Sequence, residues 1–256
     1  MIIKNKKIVI TRPVDQVQEF EEMIVAERAI PVPMSVSHVV SVKDWEFVDQ
    51  EISKLEEYTL LLFTSQNAVD KFFSRLHLKG IKTLPKNLKT ACIGPKTALA
   101  LRKFNLEPDL VPVQAGSSSK LFETFQRNGL AESQNVLFPR AVEGREEIIK
   151  LFESAGSPVR WVGVYETVMN TAMKPQVKRM LAVENDVWVT FTSPSAVRFF
   201  IDLGGEKAVH EFFEKKNFIA SIGPTTTAEL KKHKLKPHAE PKEASLKKMI
   251  MAMKSV

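Results

Sequence analysis

Two short stretches of the 256-residue chain combine hydroxyl side chains with the start of a helical pattern. Phe63-Thr64-Ser65-Gln66 and Phe191-Thr192-Ser193-Pro194-Ser195 each close an apolar run and lead into a Phe-rich stripe at helical spacing. Ile93-Gly94-Pro95-Lys96-Thr97 and Ile222-Gly223-Pro224-Thr225-Thr226 do the same with glycine and proline. The first amides of a helix have no partner within it, so together with nearby hydroxyls they can cradle an anion. Proline at the first helical position loses nothing, because its missing N–H would be unpaired anyway, and glycine allows close backbone approach. Ser65 and Ser193 admit a second reading as plain N-caps, worth about 1 kcal/mol each to their helices. Thr97 and Thr226 admit one as first-turn hydroxyls bonded to their own backbone. From sequence both readings stay open.

Other chemistries lack their residues. His38, His77, His210, His233 and His238 form no HExxH, so no metal site is expected. The single cysteine, Cys92, rules out an intrachain disulfide framework and reads as part of a buried strand, not as a nucleophile. There is no GxSxG elbow, Walker loop or GxGxxG fingerprint. A general acid–base pair of carboxylates stays open from sequence, but no Asp or Glu shares the duplicated motifs, and an enzyme built from those motifs works by binding and orientation.

Lys and Arg number 37 against 30 Asp and Glu, a net charge of +7 that favours an anionic ligand. The densest basic run, Lys231-Lys232-His233-Lys234-Leu235-Lys236, reads as a helix end, where cations complement the macrodipole. No RNA-binding motif accompanies it, so no nucleic-acid partner is expected. No apolar run approaches the roughly 18 residues of a membrane span, and the first residues lack a signal-peptide core. A cytoplasmic protein with no membrane partner is expected. So is a monomer, since no heptad or large apolar stripe stands out.

These motifs belong to an internal repeat. Phe63-Thr64-Ser65 returns 128 residues later as Phe191-Thr192-Ser193, and Ile93-Gly94-Pro95 returns 129 later as Ile222-Gly223-Pro224. Ile8-Val9-Ile10-Thr11-Arg12 matches Val136-Leu137-Phe138-Pro139-Arg140, again 128 apart, which aligns Arg12 with Arg140. The apolar runs 8–11, 59–64, 90–93, 135–138, 186–192 and 218–222 read as parallel strands buried on both faces. Helical stripes such as Ala68, Val69, Phe72, Phe73 and Leu76 alternate with them. The fold class that follows is α/β, with two doubly wound parallel-sheet domains from an internal duplication and a cleft between them. Ligands of such sheets bind beyond the carboxyl ends of the strands, where all the repeated motifs fall. The repeat alone puts a boundary near residue 128.

The ordered set Ile10-Thr11-Arg12-Pro13, Phe63-Thr64-Ser65-x-x-Ala68-Val69, Ile93-Gly94-Pro95-x-Thr97, Phe138-Pro139-Arg140 with Gly144-Arg145, Val164-Tyr165-x-Thr167, Phe191-Thr192-Ser193 and Ile222-Gly223-Pro224-Thr225-Thr226 resembles the uroporphyrinogen-III synthase family along the whole chain. Arg28-Ala29 and the stretch 34–42 depart from that family's usual pattern, outside the candidate site. The resemblance implies a discontinuous domain of residues 1–33 and 171–256, an inserted domain of 39–163, and connectors at 34–38 and 164–170. It implies cyclisation of hydroxymethylbilane, a linear tetrapyrrole, to uroporphyrinogen III, with loss of water, inversion of ring D and no cofactor or metal. It makes Tyr165 the candidate for assisting hydroxyl departure. The candidate substrate contacts are Arg12, Thr64, Ser65, Gln66, Thr97, Arg140, Arg145, Thr192, Ser193, Ser195, Thr225 and Thr226. A transient contact with the preceding pathway enzyme is a further expectation. The rival reading is a two-lobed binding or sensor protein for an anionic metabolite, without catalysis, since fold does not fix function. A nucleotide-sugar transferase is disfavoured by the missing phosphate loops and carboxylate pairs.

Overall fold

The computed structural model describes residues 3–112, 118–144 and 146–256, the backbone alone over 118–121. The chain forms two compact units, one of Met1–His38 with Thr167–Val256 and one of Val39–Glu166. Its strands are β1 (Lys7–Ile10), β2 (Ile30–Pro33), β3 (Ser37–Ser41), β4 (Leu60–Phe63), β5 (Lys89–Cys92), β6 (Val136–Ala141), β7 (Val159–Met169), β8 (Trp188–Phe191) and β9 (Phe218–Ser221). The first unit holds a sheet in the order β2-β1-β8-β9, with every neighbouring pair parallel. The second holds β3-β7-β6-β4-β5, parallel from β7 through β5.

All six strands read from the apolar runs are present, for the reason that suggested them. Every residue of β4 and of β8 is buried. Successive side chains of a strand point to opposite faces. Leu61 and Phe63 therefore enter one layer with Phe72, Phe73 and Leu76, while Leu60 and Leu62 enter the other with Phe125 and Phe152. In the first unit Val189 and Phe191 join Phe200 and Leu203 on one face, and Trp188 joins Phe20 and Met249 on the other. Both faces are covered by helices, as a parallel sheet requires.

The repeat reappears as register. Leu60 pairs with Lys89 and with Val136, and 128–129 residues away Trp188 pairs with Phe218 and with Ile8. Val136 pairs with Val159, as Ile8 does with Pro31. Even the isolated parallel bridge Ala91–Leu110 recurs 129 residues on, as Ala220–Ala239. So β6, β7, β4 and β5 of the second unit correspond to β1, β2, β8 and β9 of the first. Each of these four-strand sets takes two strands from each repeat, and position 128 lies inside the second unit.

The helix Pro224–Lys232 ends in Lys231 and Lys232, and Lys232 reaches back to Glu229 at 2.9 Å, so the basic run does close a helix. No helix among the described residues is long and apolar enough to cross a membrane.

One ion cluster braces the second unit. Asp49 accepts a forked pair from Arg75, with Nε at 2.7 Å and Nη2 at 2.5 Å, and Lys79 Nζ stands 2.8 Å away. These cations, Arg75 foremost, depress the Asp49 carboxyl to about 2. A carboxyl depressed in the folded state stabilises it above the unfolded pKa of about 3.9 and loses that contribution as pH falls through the folded value. Asp49→Asn is therefore expected to narrow the stability gap from wild type as pH drops from 4 to 2, measured by urea unfolding at each pH. A gap that stays constant across that window would show that Asp49 is not held by these cations.

Candidate functional site

In the second unit, β4 ends at Phe63 and the chain turns through half-buried Thr64 and Ser65 into the helix Gln66–Leu78. Ser65 is extended (φ −150°), and its Oγ accepts the Ala68 N–H at 3.1 Å. The N-cap reading is thus correct, yet the hydroxyl also lies 3.2 Å from the Tyr165 phenol oxygen. Gln66 Nε2 donates to the Lys96 carbonyl at 3.1 Å and ties this loop to the next. There β5 ends at Cys92, whose thiol is pushed up by burial, as expected of a structural cysteine. Gly94 then leads into the helix Pro95–Arg102.

Gly94 and Gly223 have φ of 161° and 165°, extended backbone that any residue adopts, so the expected need for a glycine turn does not hold. A Cβ on Gly94 would meet no protein atom within 4 Å. Thr97 is buried in the first turn of its helix, and Thr226 is buried at the matching place. Among the described residues neither hydroxyl bonds a protein group, so the reading as backbone-bonded hydroxyls is set aside.

Tyr165 owes its direction to a bulge. Arg140 of β6 faces Gly163 of β7, but the next residue, Ala141, faces Tyr165, so Val164 is extra. A bulge turns the following side chains to the opposite face. Tyr165 accordingly packs on the layer that holds Val162 and Val164, the one covered by the helix that Ser65 caps. The chain's other tyrosine, Tyr58, is buried with its phenol on Glu51, and its pKa is raised by that burial and the carboxylate.

Arg140 is buried at the end of β6. Its Nε donates to the Ala141 carbonyl at 3.1 Å, and its guanidinium carbon lies 5.1 Å from the Trp161 ring centre and 5.8 Å from that of Phe138. Burial lowers its pKa, partly offset by Glu146 and Tyr165. A Cβ on Gly144 would fall 2.5 Å from Arg140 Nη2. Gly144→Ala is expected to push the guanidinium off Trp161, costing about 1 kcal/mol of cation–π contact and altering the tryptophan emission. An emission spectrum identical to wild type in that variant would place the guanidinium elsewhere. Arg145 lies outside the described residues.

In the first unit, β8 ends at Phe191 and half-buried Thr192 leads to Ser193, whose Oγ accepts the Ala196 N–H at 3.2 Å and sits 3.1 Å from Ser195 Oγ. Thr11 Oγ1 donates to the Thr190 carbonyl at 2.7 Å, and Thr190 Oγ1 donates to the Val9 carbonyl, locking β1 to β8. Arg12, which follows, donates from Nε and Nη2 to the carbonyl and side-chain oxygens of Gln16 at 3.0 and 2.9 Å. Its pKa is lowered by burial, with Glu19 and Asp15 opposing. Thr225 is exposed at the head of the helix Pro224–Lys232. The structure thus joins Ser65, Tyr165, Gln66 and the Lys96 backbone in the second unit, and Ser193 with Ser195 in the first. It also shows Ser221, Thr227 and Glu240 hydrogen-bonded around Gly223, which the search for shared motifs missed because their counterparts are Cys92, Ala98 and Val111.

A family model described as Uroporphyrinogen-III synthase HemD matches residues 18–251. The chain is 26% identical over 252 residues to the uroporphyrinogen-III synthase of Synechococcus elongatus, covering 97% of this chain and 94% of that one. It is 28% identical over 196 residues to the porphyrin biosynthesis protein HemD of Ruminiclostridium josui, covering 76% of this chain but only 38% of that longer protein. A crystal structure of a mutant uroporphyrinogen III synthase from the extremely thermophilic bacterium Thermus thermophilus has the same fold, with a TM-score of 0.60, 17% identity and 98% of both chains covered. The parallel sheets, the strand-end loops and a family match over nearly the full length converge: the chain belongs to the uroporphyrinogen-III synthase family, enzymes of porphyrin biosynthesis.

Proposed function

We propose that the protein cyclises hydroxymethylbilane to uroporphyrinogen III as a cofactor-independent hydro-lyase, with Tyr165 assisting departure of the terminal hydroxyl. The observation that carries this reading is the Tyr165 phenol, turned by the bulge to within 3.2 Å of Ser65 Oγ at the carboxyl end of the sheet. That is where open α/β sheets take their ligands. The substrate's carboxylates, four acetates and four propionates, suit amides and hydroxyls at helix starts. Thr64, Gln66, Thr97 and Arg140 in the second unit, and Arg12, Thr192, Ser193, Ser195, Thr225 and Thr226 in the first, are the proposed contacts, with Arg145 added by its place in the motif.

The hydroxyl leaves as water once the phenol gives it a hydrogen bond and a proton, and the substrate becomes an azafulvene cation. Ring D attacks through its substituted carbon to give a spiro intermediate, which fragments and recloses with that ring inverted; the phenol recovers its proton from the ring carbon that rearomatises. The spontaneous reaction gives the uninverted isomer, so the protein's task is to favour one folded conformation. Differential stabilisation of about 1.4 kcal/mol shifts the ratio tenfold. The test is incubation with enzymatically generated hydroxymethylbilane, followed by oxidation and separation of the uroporphyrin isomers. Type III is expected; type I alone at the spontaneous rate would overturn the assignment.

A further inference from the structure

The loop after β9 carries a hydrogen-bonded chain that its duplicate lacks. Ser221, fully buried at the end of β9, accepts the Gly223 N–H on Oγ at 3.2 Å. Thr227 Oγ1 lies 2.8 Å from Ser221 Oγ and 2.6 Å from Glu240 Oε2. A hydroxyl has one proton to give, and a carboxylate takes it most strongly, so Thr227 donates to Glu240, while the Ser221 proton is shared between the Gly223 carbonyl at 3.0 Å and Thr227. The Ala220–Ala239 bridge brings Glu240 within reach. Ser221 thus grips both the amide and the carbonyl of Gly223, and Thr227 ties it to the Glu240 carboxylate. At the matching positions of the second unit stand Cys92, Ala98 and Val111. Cys92 Sγ there reaches only the Gly94 carbonyl, at 3.7 Å, and among the described residues the Gly94 amide has no protein acceptor.

We propose that Ser221, Thr227 and Glu240 are positioning residues that hold the loop 222–226 in the arrangement presenting Thr225 and Thr226 to the substrate. The assignment of substrate rests on the synthase reading above. The duplicated loops then differ in kind: after β9 the glycine amide is turned inward and pinned, and after β5 it stays available to a ligand. Glu240 acts through Thr227 and Ser221, and Thr227 acts through the loop, so neither needs to touch substrate.

Thr227→Val removes the hydroxyl at nearly constant volume. It is expected to raise KM for hydroxymethylbilane about fivefold, the size of one lost hydrogen bond, with kcat within about twofold. Thr227→Ser is expected to restore KM. A KM unchanged in Thr227→Val, or a parallel fall in kcat and thermal midpoint that serine does not rescue, would overturn the positioning role. Hydrogen exchange at the Gly223 amide supplies a second readout that needs no substrate. It is expected to quicken about tenfold in Thr227→Val, and exchange at the wild-type rate would overturn the relay. If the wild-type protein makes only the type I isomer, the synthase reading fails while the exchange measurement still decides the relay.

Discussion

Tyr165→Phe is expected to lower turnover of hydroxymethylbilane about 100-fold and to let type I product appear beside type III. A positioned proton donor contributes roughly 10²–10⁴ to rate, and a hydrogen-bonding phenol belongs at the low end of that range. The substitution is clean because the ring remains. It keeps packing on the layer around Val162 and Val164, so stability is expected to change by less than about 1 kcal/mol. Only the hydroxyl 3.2 Å from Ser65 Oγ is lost. Selectivity falls with rate, because the spontaneous ring closure to the uninverted isomer then competes with a slowed enzymatic one. Ser65→Ala is the companion variant. It removes an N-cap, costing about 1 kcal/mol of stability, along with the phenol's neighbour, and its effect on turnover is expected to be the smaller of the two. Full turnover with pure type III product from Tyr165→Phe would remove the phenol from the mechanism.

The legible part of the fold was the part buried on two sides. β4 and β8 are apolar at every position, or nearly so, and announce themselves; β2, β3 and β7 do not. β2 is Ile30-Pro31-Val32-Pro33 at the edge of its sheet, where proline is tolerated because one side of the ladder has no partner to serve. β7 is half-exposed through Arg160, Trp161 and Glu166, so only the short stretch 161–165 of its 11 residues is apolar. The exchange of strands between the repeats left no trace in the repeat itself, and only the family resemblance implied a discontinuous domain. Since Leu60 pairs with Val136 just as Trp188 does with Ile8, a strand meets the same partner pattern whichever copy supplies it, and a repeat search cannot tell the two apart. At the site, the loops were legible because they are shared. Tyr165 came only from the family resemblance, since its direction depends on a bulge that no periodicity encodes. Ser221, Thr227 and Glu240 stayed hidden because what two copies share does not include what only one of them has.

Phe63→Ala is expected to destabilise the protein by about 3–5 kcal/mol, the usual cost of emptying a buried phenylalanine site. The ring is fully buried at the last position of β4, with Phe72 edge-on at 5.9 Å and Phe73 tilted at 5.8 Å. Those two partners sit on the helix Gln66–Leu78, which Ser65 caps, so the ring fastens strand to helix directly beneath the loop that carries Thr64 and Ser65. Its removal leaves a void that neither element can fill: β4 is held by backbone pairs on both sides, and the helix is held by Asp49 through Arg75. Phe191→Ala tests the same joint in the other copy, where Phe191 meets Phe200 edge-on at 5.4 Å on the helix Pro194–Gly204. Equal loss in the two variants is expected, because register and burial are the same. Phe63→Leu keeps most of the volume and is expected to cost less than about 1.5 kcal/mol. Urea unfolding of the three variants measures this directly. A loss below about 1 kcal/mol in Phe63→Ala would mean that the strand end is loosely packed, and a loosely packed strand end cannot hold Ser65 against Tyr165 at hydrogen-bond distance.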